Sequence, residues 1–199
     1  MTSIQQHNKH PHDYLWWKHG VIYQIYPRSF YDANDDGIGD LPGIIKKFDY
    51  LIDLGIDAIW LSPINTSPMY DCGYDVSDYY SIDPIFGTLK DFKELLAIAH
   101  SNNIHIIMDM VLNHTSQLHP WFVESSSSRY NMKNDWYIWH DGFNGKPPNN
   151  WKSAYLSSAW DRSAMSLDRY KIALFLGHSY WKKDDKALAA KWYNTFLRE

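Results

Sequence analysis

The chain has 199 residues and a mass of 23.5 kDa, enough for a compact domain with a sizeable core. Nineteen Lys and Arg against 23 Asp and Glu give a net charge of −4, so there is no basic excess to hold a nucleic acid. A lone cysteine, Cys72, excludes an internal disulfide framework and suits the cytoplasm, and no apolar run has the length of a signal segment or a membrane span.

Residues 1–15 read as a polar tail in which His7, His10 and His12 lie close together. Val21–Tyr26, β-branched and aromatic, predicts a strand. A polar loop from Asp32 to Asp40 leads into an amphipathic helix with Ile44, Ile45, Phe48, Leu51 and Ile52 on one face. Asp40 sits at its N-cap and Gly55 at its end. The unit then repeats. Ala58–Leu61 predicts a short strand, followed by a long Pro-, Ser-, Asp- and Gly-rich loop. Thr88 and Asp91 form a capping pair for a helix with Leu89, Phe92, Leu95, Leu96 and Ala99 on its buried stripe. A third strand is expected over Ile104–Val111. Helices alternate with strands in the rhythm of βα units, which predicts an α/β fold with a parallel sheet whose long loops follow the strands' carboxyl ends. After His114 the rhythm stops, and residues 115–160 show no period. The apolar run from Arg169 precedes a stretch in which Leu188, Trp192 and Phe196 suit either an amphipathic helix or an aromatic strand.

Three segments carry chemistry. From Asp32 to Asp40, oxygen-bearing side chains fall at relative positions 1, 3, 5 and 9, with glycine after the fifth. That spacing resembles the front half of a calcium-binding loop, and hard oxygen donors favour Ca²⁺; a solvated turn capping a helix is the alternative. Asp71-Cys72-Gly73-Tyr74-Asp75, after the second strand, offers a carboxylate and a phenol that suit hydrogen bonding to and stacking on a sugar, or else a plain turn with a packed Tyr. Asp109, Val111 and Asn113 would share a strand face with His114 just past its end, and an acid inside an apolar strand needs a partner. The 10 Trp and 15 Tyr suit a large core, or a surface that stacks on sugars. No nucleotide-binding glycine loop, nucleophile elbow or thiolate metal centre is present, and no organic cofactor is expected.

The segments VIYQIYPRSF, DANDDGIGDLPGI, GIDAIWLSPINTSP, DCGYDVSDY, FGTLKDF, MDMVLNHTS, HPWF, NDWYIW and PPNNW, in this order, resemble the α-amylase superfamily of glycoside hydrolases (glycoside hydrolase family 13). Within it they are most similar to the α-glucosidase and oligo-1,6-glucosidase group. The resemblance implies the N-terminal part of a (β/α)8 TIM barrel with an inserted subdomain after strand three. Residues 16–114 would then hold the first three βα units and 115–199 the inserted subdomain. It implies substrate binding by Asp71, Tyr74, Asp109 and His114, with Asp71 accepting from sugar hydroxyls, Tyr74 stacking on the ring and His114 donating to a hydroxyl. Structural Ca²⁺ would be held by Asp32, Asn34, Asp36, Ile38 and Asp40. The partner is an α-glucoside or short oligosaccharide, with no nucleic acid and no membrane.

Relatives carry a Gly-rich FGGSAW step soon after PNNW. Here Ser157–Trp160 lacks the glycines and Leu176–Trp181 fits better, so residues 154–173 read as an extra insertion. The family's three catalytic carboxylates belong to later strands, so none of its catalytic residues is expected in this chain. The expectation is therefore a retaining α-glucosidase-like hydrolase, represented by an N-terminal fragment that is inactive alone. A non-catalytic binding or partner-stabilising relative, and a transglycosidase or sucrose-processing relative, are the alternatives.

Overall fold

The computed structural model describes residues 14–152, 158–162 and 169–172. The sequence readings for residues 1–13, for Leu176–Trp181 and for the helix or strand around Leu188, Trp192 and Phe196 lie outside the described residues.

In chain order the elements are α1 (Trp16–His19), β1 (Ile22–Ile25), α2 (Pro27–Phe30), α3 (Leu41–Lys46), α4 (Phe48–Leu54), β2 (Ala58–Leu61), β3 (Asn65–Thr66), β4 (Asp78–Ile82), α5 (Leu89–Ser101) and β5 (His105–Met108), then α6 (Pro120–Ser127), a 3-10 turn over Asn134–Trp136, β6 (Ile138–Asp141), β7 (Asp161–Arg162) and β8 (Arg169–Ile172). They form two compact units. Of the described residues, one unit holds those up to Ile64 together with Ile82–Asp109, and the other holds Asn65–Ser81 together with those from Met110. The sequence reading places a tail over residues 1–15 and a boundary between residues 114 and 115; in the structure Asn65–Ser81 groups with the chain beyond residue 109.

The first unit is built on a parallel sheet in the order β1-β2-β5, with Ile22, Ala58 and His105 in one row and Ile25, Leu61 and Met108 in another. In the central strand Ala58, Ile59 and Leu61 are buried, as parallel strands covered on both faces require. The predicted helix after the first loop is two helices. Asp40 caps α3, its Oδ1 accepting from the Gly43 amide at 2.6 Å, and the helical path breaks at Lys47 before α4 resumes. Gly55 ends α4 in the left-handed region (φ 73°), which favours glycine. Of the five residues assigned to the buried face, Ile44, Phe48 and Leu51 are buried, but Ile52 is exposed because the break rotates the stripe. The expected capping box on α5 is reciprocal: the Thr88 hydroxyl accepts from the Asp91 amide, and the Asp91 carboxylate accepts from the Thr88 amide at 2.7 Å. Leu95 and Ala99 of the predicted stripe are buried, while Leu89 is exposed.

The second unit contains order that the sequence did not announce. His119 caps α6, its ring Nδ1 accepting from the Trp121 amide at 3.1 Å, and Pro120 takes the first helical position. Trp121 and Phe122 then anchor an aromatic cluster. Phe122 meets Tyr137 edge-on at 5.0 Å and stacks on Trp139 at 5.6 Å, while Trp121 meets the edge of Trp136 at 5.1 Å. The Trp139 indole N–H donates to Ser125 Oγ at 2.9 Å. An antiparallel sheet in the order β6-β8-β7 follows, pairing Ile138 with Ile172 and Arg162 with Tyr170. The segment 154–173 read as an insertion therefore supplies two of its strands.

Each unit yields an expected outcome. A Cβ at Gly43 would overlap the Tyr31 carbonyl oxygen, so Gly43→Ala in the full-length protein should lower stability by about 1–3 kcal/mol, read as a reduced Tm. His119 is buried, and burial lowers its pKa from 6.5 to about 4, reinforced by Lys133 and opposed by Asp78. Protonation would also remove the Nδ1 lone pair that caps α6. The unfolded chain takes up this proton first, so the contribution is complete above pH 6.5 and is lost as pH falls toward 4. His119→Asn, which keeps a capping oxygen, should flatten the Tm-against-pH curve in that window; parallel curves for the two proteins would refute the assignment.

Candidate functional site

The loop after β2 is shaped by a carboxylate to which the sequence reading gave no role. Asp75 accepts from the Ser67 hydroxyl at 2.7 Å and from the amides of Tyr70 and Asp71, each at 3.0 Å. Within it the Tyr74 amide donates to the Asp71 carbonyl at 3.0 Å. Gly73 is buried with φ 99°, a backbone conformation that favours glycine. Asp71 and Tyr74 are thus presented, half-buried, on a loop closed by its own hydrogen bonds rather than on a freely sampling one. The signal that could have singled out Asp75 is an acid closing a Ser- and Gly-containing turn.

The segment 111–116 belongs to the same unit. His114 Nε2 lies 3.0 Å from the Tyr74 carbonyl. A carbonyl oxygen can only accept, so this nitrogen carries the proton. The Ser116 amide donates to the Val76 carbonyl at 2.8 Å, and the Tyr79 hydroxyl reaches the carbonyls of Val111 and His114 at 2.7 and 3.0 Å. Thr115, buried, hydrogen-bonds the Tyr137 hydroxyl at 2.8 Å. The structure therefore brings His114 and Tyr74 together, and it does so through a backbone carbonyl.

Asp109 belongs to the first unit. The third strand ends at Met108 rather than Val111, so Asp109 is not an acid inside a strand: it is half-buried one residue past the end, its amide donating to the Leu61 carbonyl at 3.0 Å. The period-two face expected to join Asp109, Val111 and Asn113 does not form, because the chain has already left the sheet.

In the loop after β1, Asp32 Oδ1 accepts from the Asn34 and Asp35 amides and Oδ2 from the Gly37 amide at 2.7 Å. These bonds, Gly37's foremost, hold the Asp32 carboxyl below its usual pKa. Asn34 Oδ1 accepts from the Asp36 amide at 3.0 Å, and Asp36 Oδ1 from the Ile38 amide at 2.8 Å. Asp40 is buried and differs in function: one oxygen caps α3 and the other faces the Ala33 amide at 3.4 Å. The loop's ends are fastened, Gly39 amide to Arg28 carbonyl and Asp40 amide to Tyr31 carbonyl. Asp32, Asn34, Asp36 and the Ile38 carbonyl offer only hard oxygens, a donor chemistry that fits Ca²⁺ and not a soft metal. Among the described residues no three His, Cys, Asp or Glu side chains are already gathered as a metal cluster. A cavity of about 230 Å³ beside this loop is lined by Asn34, Asp40, Pro42, Lys46, Pro84 and Ile85.

The family described as the alpha amylase catalytic domain matches residues 24–193. The chain is 54% identical over 156 residues to an oligo-1,6-glucosidase of Parageobacillus thermoglucosidasius, an alignment that takes in 78% of this chain and 28% of that protein. Among solved structures it is similar to isomaltulose synthase from Klebsiella sp. LX3 (TM-score 0.77, 49% identity, 81% of this chain and 29% of the other). It is likewise similar to trehalose-6-phosphate hydrolase from Bacillus licheniformis (TM-score 0.76, 43% identity, 92% of this chain and 34% of the other). The chain spans under a third of the length of the curated relatives it matches.

Proposed function

The chain belongs to the alpha-amylase family, and on that premise we propose that the full-length protein, whose relatives include oligo-1,6-glucosidases, is a retaining glycoside hydrolase acting on short α-linked glucosides. The parallel sheet β1-β2-β5 is the N-terminal part of that family's (β/α)8 barrel. Retaining chemistry needs two carboxyl groups about 5–5.5 Å apart. The contribution of the present residues is to hold the glucosyl unit.

The observation that carries this reading is the tether between His114 and the Tyr74 carbonyl, which fixes an imidazole against a loop that presents a carboxylate and a phenol. Asp71 accepts hydrogen bonds from sugar hydroxyls, Tyr74 stacks on the apolar face of the ring, and His114 binds a hydroxyl. Asp109 is a further substrate-binding acid, delivered by the end of β5. A second reading, a sucrose-isomerising or glucosyl-transferring relative, is favoured by the 49% identity to isomaltulose synthase. The product mixture from sucrose separates the two: glucose and fructose for hydrolysis, an isomeric disaccharide for isomerisation. A cytoplasmic setting suits the exposed free thiol of Cys72, and among the described residues no helix is long and apolar enough to cross a membrane.

The first loop is read as a structural Ca²⁺ site made by Asp32, Asn34, Asp36, the Ile38 carbonyl and Asp40. The cation would neutralise the loop's acids and hold its turn, with no part in bond cleavage.

Two experiments test these readings. A hydrogen bond to a carboxylate contributes about 1.5–3 kcal/mol, so Asp71→Ala in the full-length enzyme should cut kcat/KM for a chromogenic α-glucoside roughly ten- to a hundredfold. Unchanged kinetics would remove Asp71 from the site, and full-length protein inert toward all α-glucosides would remove the activity. Calorimetry should detect Ca²⁺ uptake that Asp36→Ala weakens at least about tenfold. Asp40→Ala is not diagnostic, because it also uncaps α3. No calcium uptake by the wild-type protein would overturn the metal reading.

A further inference from the structure

Tyr79 lies in β4, with its backbone carbonyl accepting from Asn65 Nδ2 at 2.9 Å. Its ring is seated among aromatic neighbours, 5.5 Å from the His119 ring and 6.5 Å from that of Trp121. The hydroxyl is thereby delivered to a fixed point, and two main-chain carbonyls converge on it, Val111 at 2.7 Å and His114 at 3.0 Å. A phenol has one proton, so the two acceptors share it, and they can do so only while residues 111–114 curl around the oxygen. Burial raises the phenol's pKa, which keeps it a donor throughout the working range of pH.

His114 is thus fixed at two points, its main-chain carbonyl on Tyr79 and its ring Nε2 on the Tyr74 carbonyl. With the first removed, the carbonyls of buried Val111 and half-buried His114 lose a donor, the curl is free to open, and the imidazole pivots on its remaining tether. We propose that Tyr79 is a positioning residue, which holds the 111–114 turn through its hydroxyl and so aims His114 at the substrate. The inference rests on the reading of His114 as a glucosyl-binding residue. It requires no contact between Tyr79 and the sugar.

The test is a double-mutant cycle in the full-length enzyme, read as kcat/KM for a chromogenic α-glucoside alongside Tm. Tyr79→Phe, which removes one oxygen and keeps the ring, should lower kcat/KM about tenfold or more, and it should cost less than about twofold when His114 is already alanine. An equal loss on both backgrounds would mean that Tyr79 acts through general stability, and wild-type kinetics in Tyr79→Phe would mean that it does not act at all; either overturns the proposal. If His114→Ala lowers kcat/KM and Tyr79→Phe does not, this inference alone fails. If His114→Ala and Asp71→Ala are both indistinguishable from wild type, the glucosyl-site reading fails and takes this one with it. Replacing Tyr79 by 4-aminophenylalanine, which keeps a donor at the para position, should leave kcat/KM within about threefold of wild type. A loss of about tenfold or more in that protein would overturn the proposal whether or not Tyr79→Phe folds.

Discussion

Parallel pairing on both sides of Ala58–Leu61 sets the terms for the first unit. The bonds of a parallel ladder are slanted, and each strand hands its chain on at the same edge of the sheet. The ladder continues past the strands themselves: the Ser62 amide reaches back to the Ile25 carbonyl, and the Asp109 amide to the Leu61 carbonyl. Asp109 is therefore placed by the register of a sheet it no longer belongs to. The central strand tolerates burial on both faces because Ala58, Ile59 and Leu61 carry no side-chain polar group, whereas Asp109 enters the chain only where the sheet has ended and a polar group is cheap.

Around this frame the polar side chains act on backbone more than on one another. Asp75 gathers two amides and a hydroxyl, Asp32 three amides, Asp40 two amides, and Tyr79 two carbonyls. Loops without a strand or helix of their own draw on side chains, turn bonds and water to satisfy their main chain. Among the described residues no buried side-chain nitrogen or oxygen lacks a hydrogen-bond partner. Asp71 and Tyr74 are carried on a loop held by Asp75, and the carbonyls of Val111 and His114 are held by Tyr79.

What the sequence made legible is what depends on near neighbours. The strand at Ala58–Leu61, the Asp40 cap, the left-handed Gly55 and the Thr88–Asp91 box are all decided within four residues, and each was readable for that reason. Apolar pattern alone overran the third strand to Val111, because nothing in the identity of Met110 or Val111 records that the sheet stops at Met108. It likewise fused α3 and α4, since the break at Lys47 falls on a residue with good helix propensity. The order in the second unit was the least visible. The β6–β8 pairing joins Ile138 to Ile172 across a long stretch of chain, and the cluster of Trp121, Phe122, Tyr137 and Trp139 is assembled from separated positions. Asp71, Tyr74 and His114 could be picked out by resemblance; Asp75 is signalled only as an acid closing a Ser- and Gly-containing turn, and Tyr79 not at all, because its bonds to the Val111 and His114 carbonyls exist only as distances.

The second unit is discontinuous along the chain, since Asn65–Ser81 belongs with the part that begins at Met110. That bears on how such proteins can be recombined. A chimera cut once near residue 110 would import the histidine and the aromatic cluster while leaving Val76, Tyr79 and the Tyr74 carbonyl to come from the recipient; the partners of Ser116, Val111 and His114 would then be strangers. The transplantable cassette is two segments, separated by a strand-helix stretch that stays with the host, and crossovers that respect only sequence continuity will divide it.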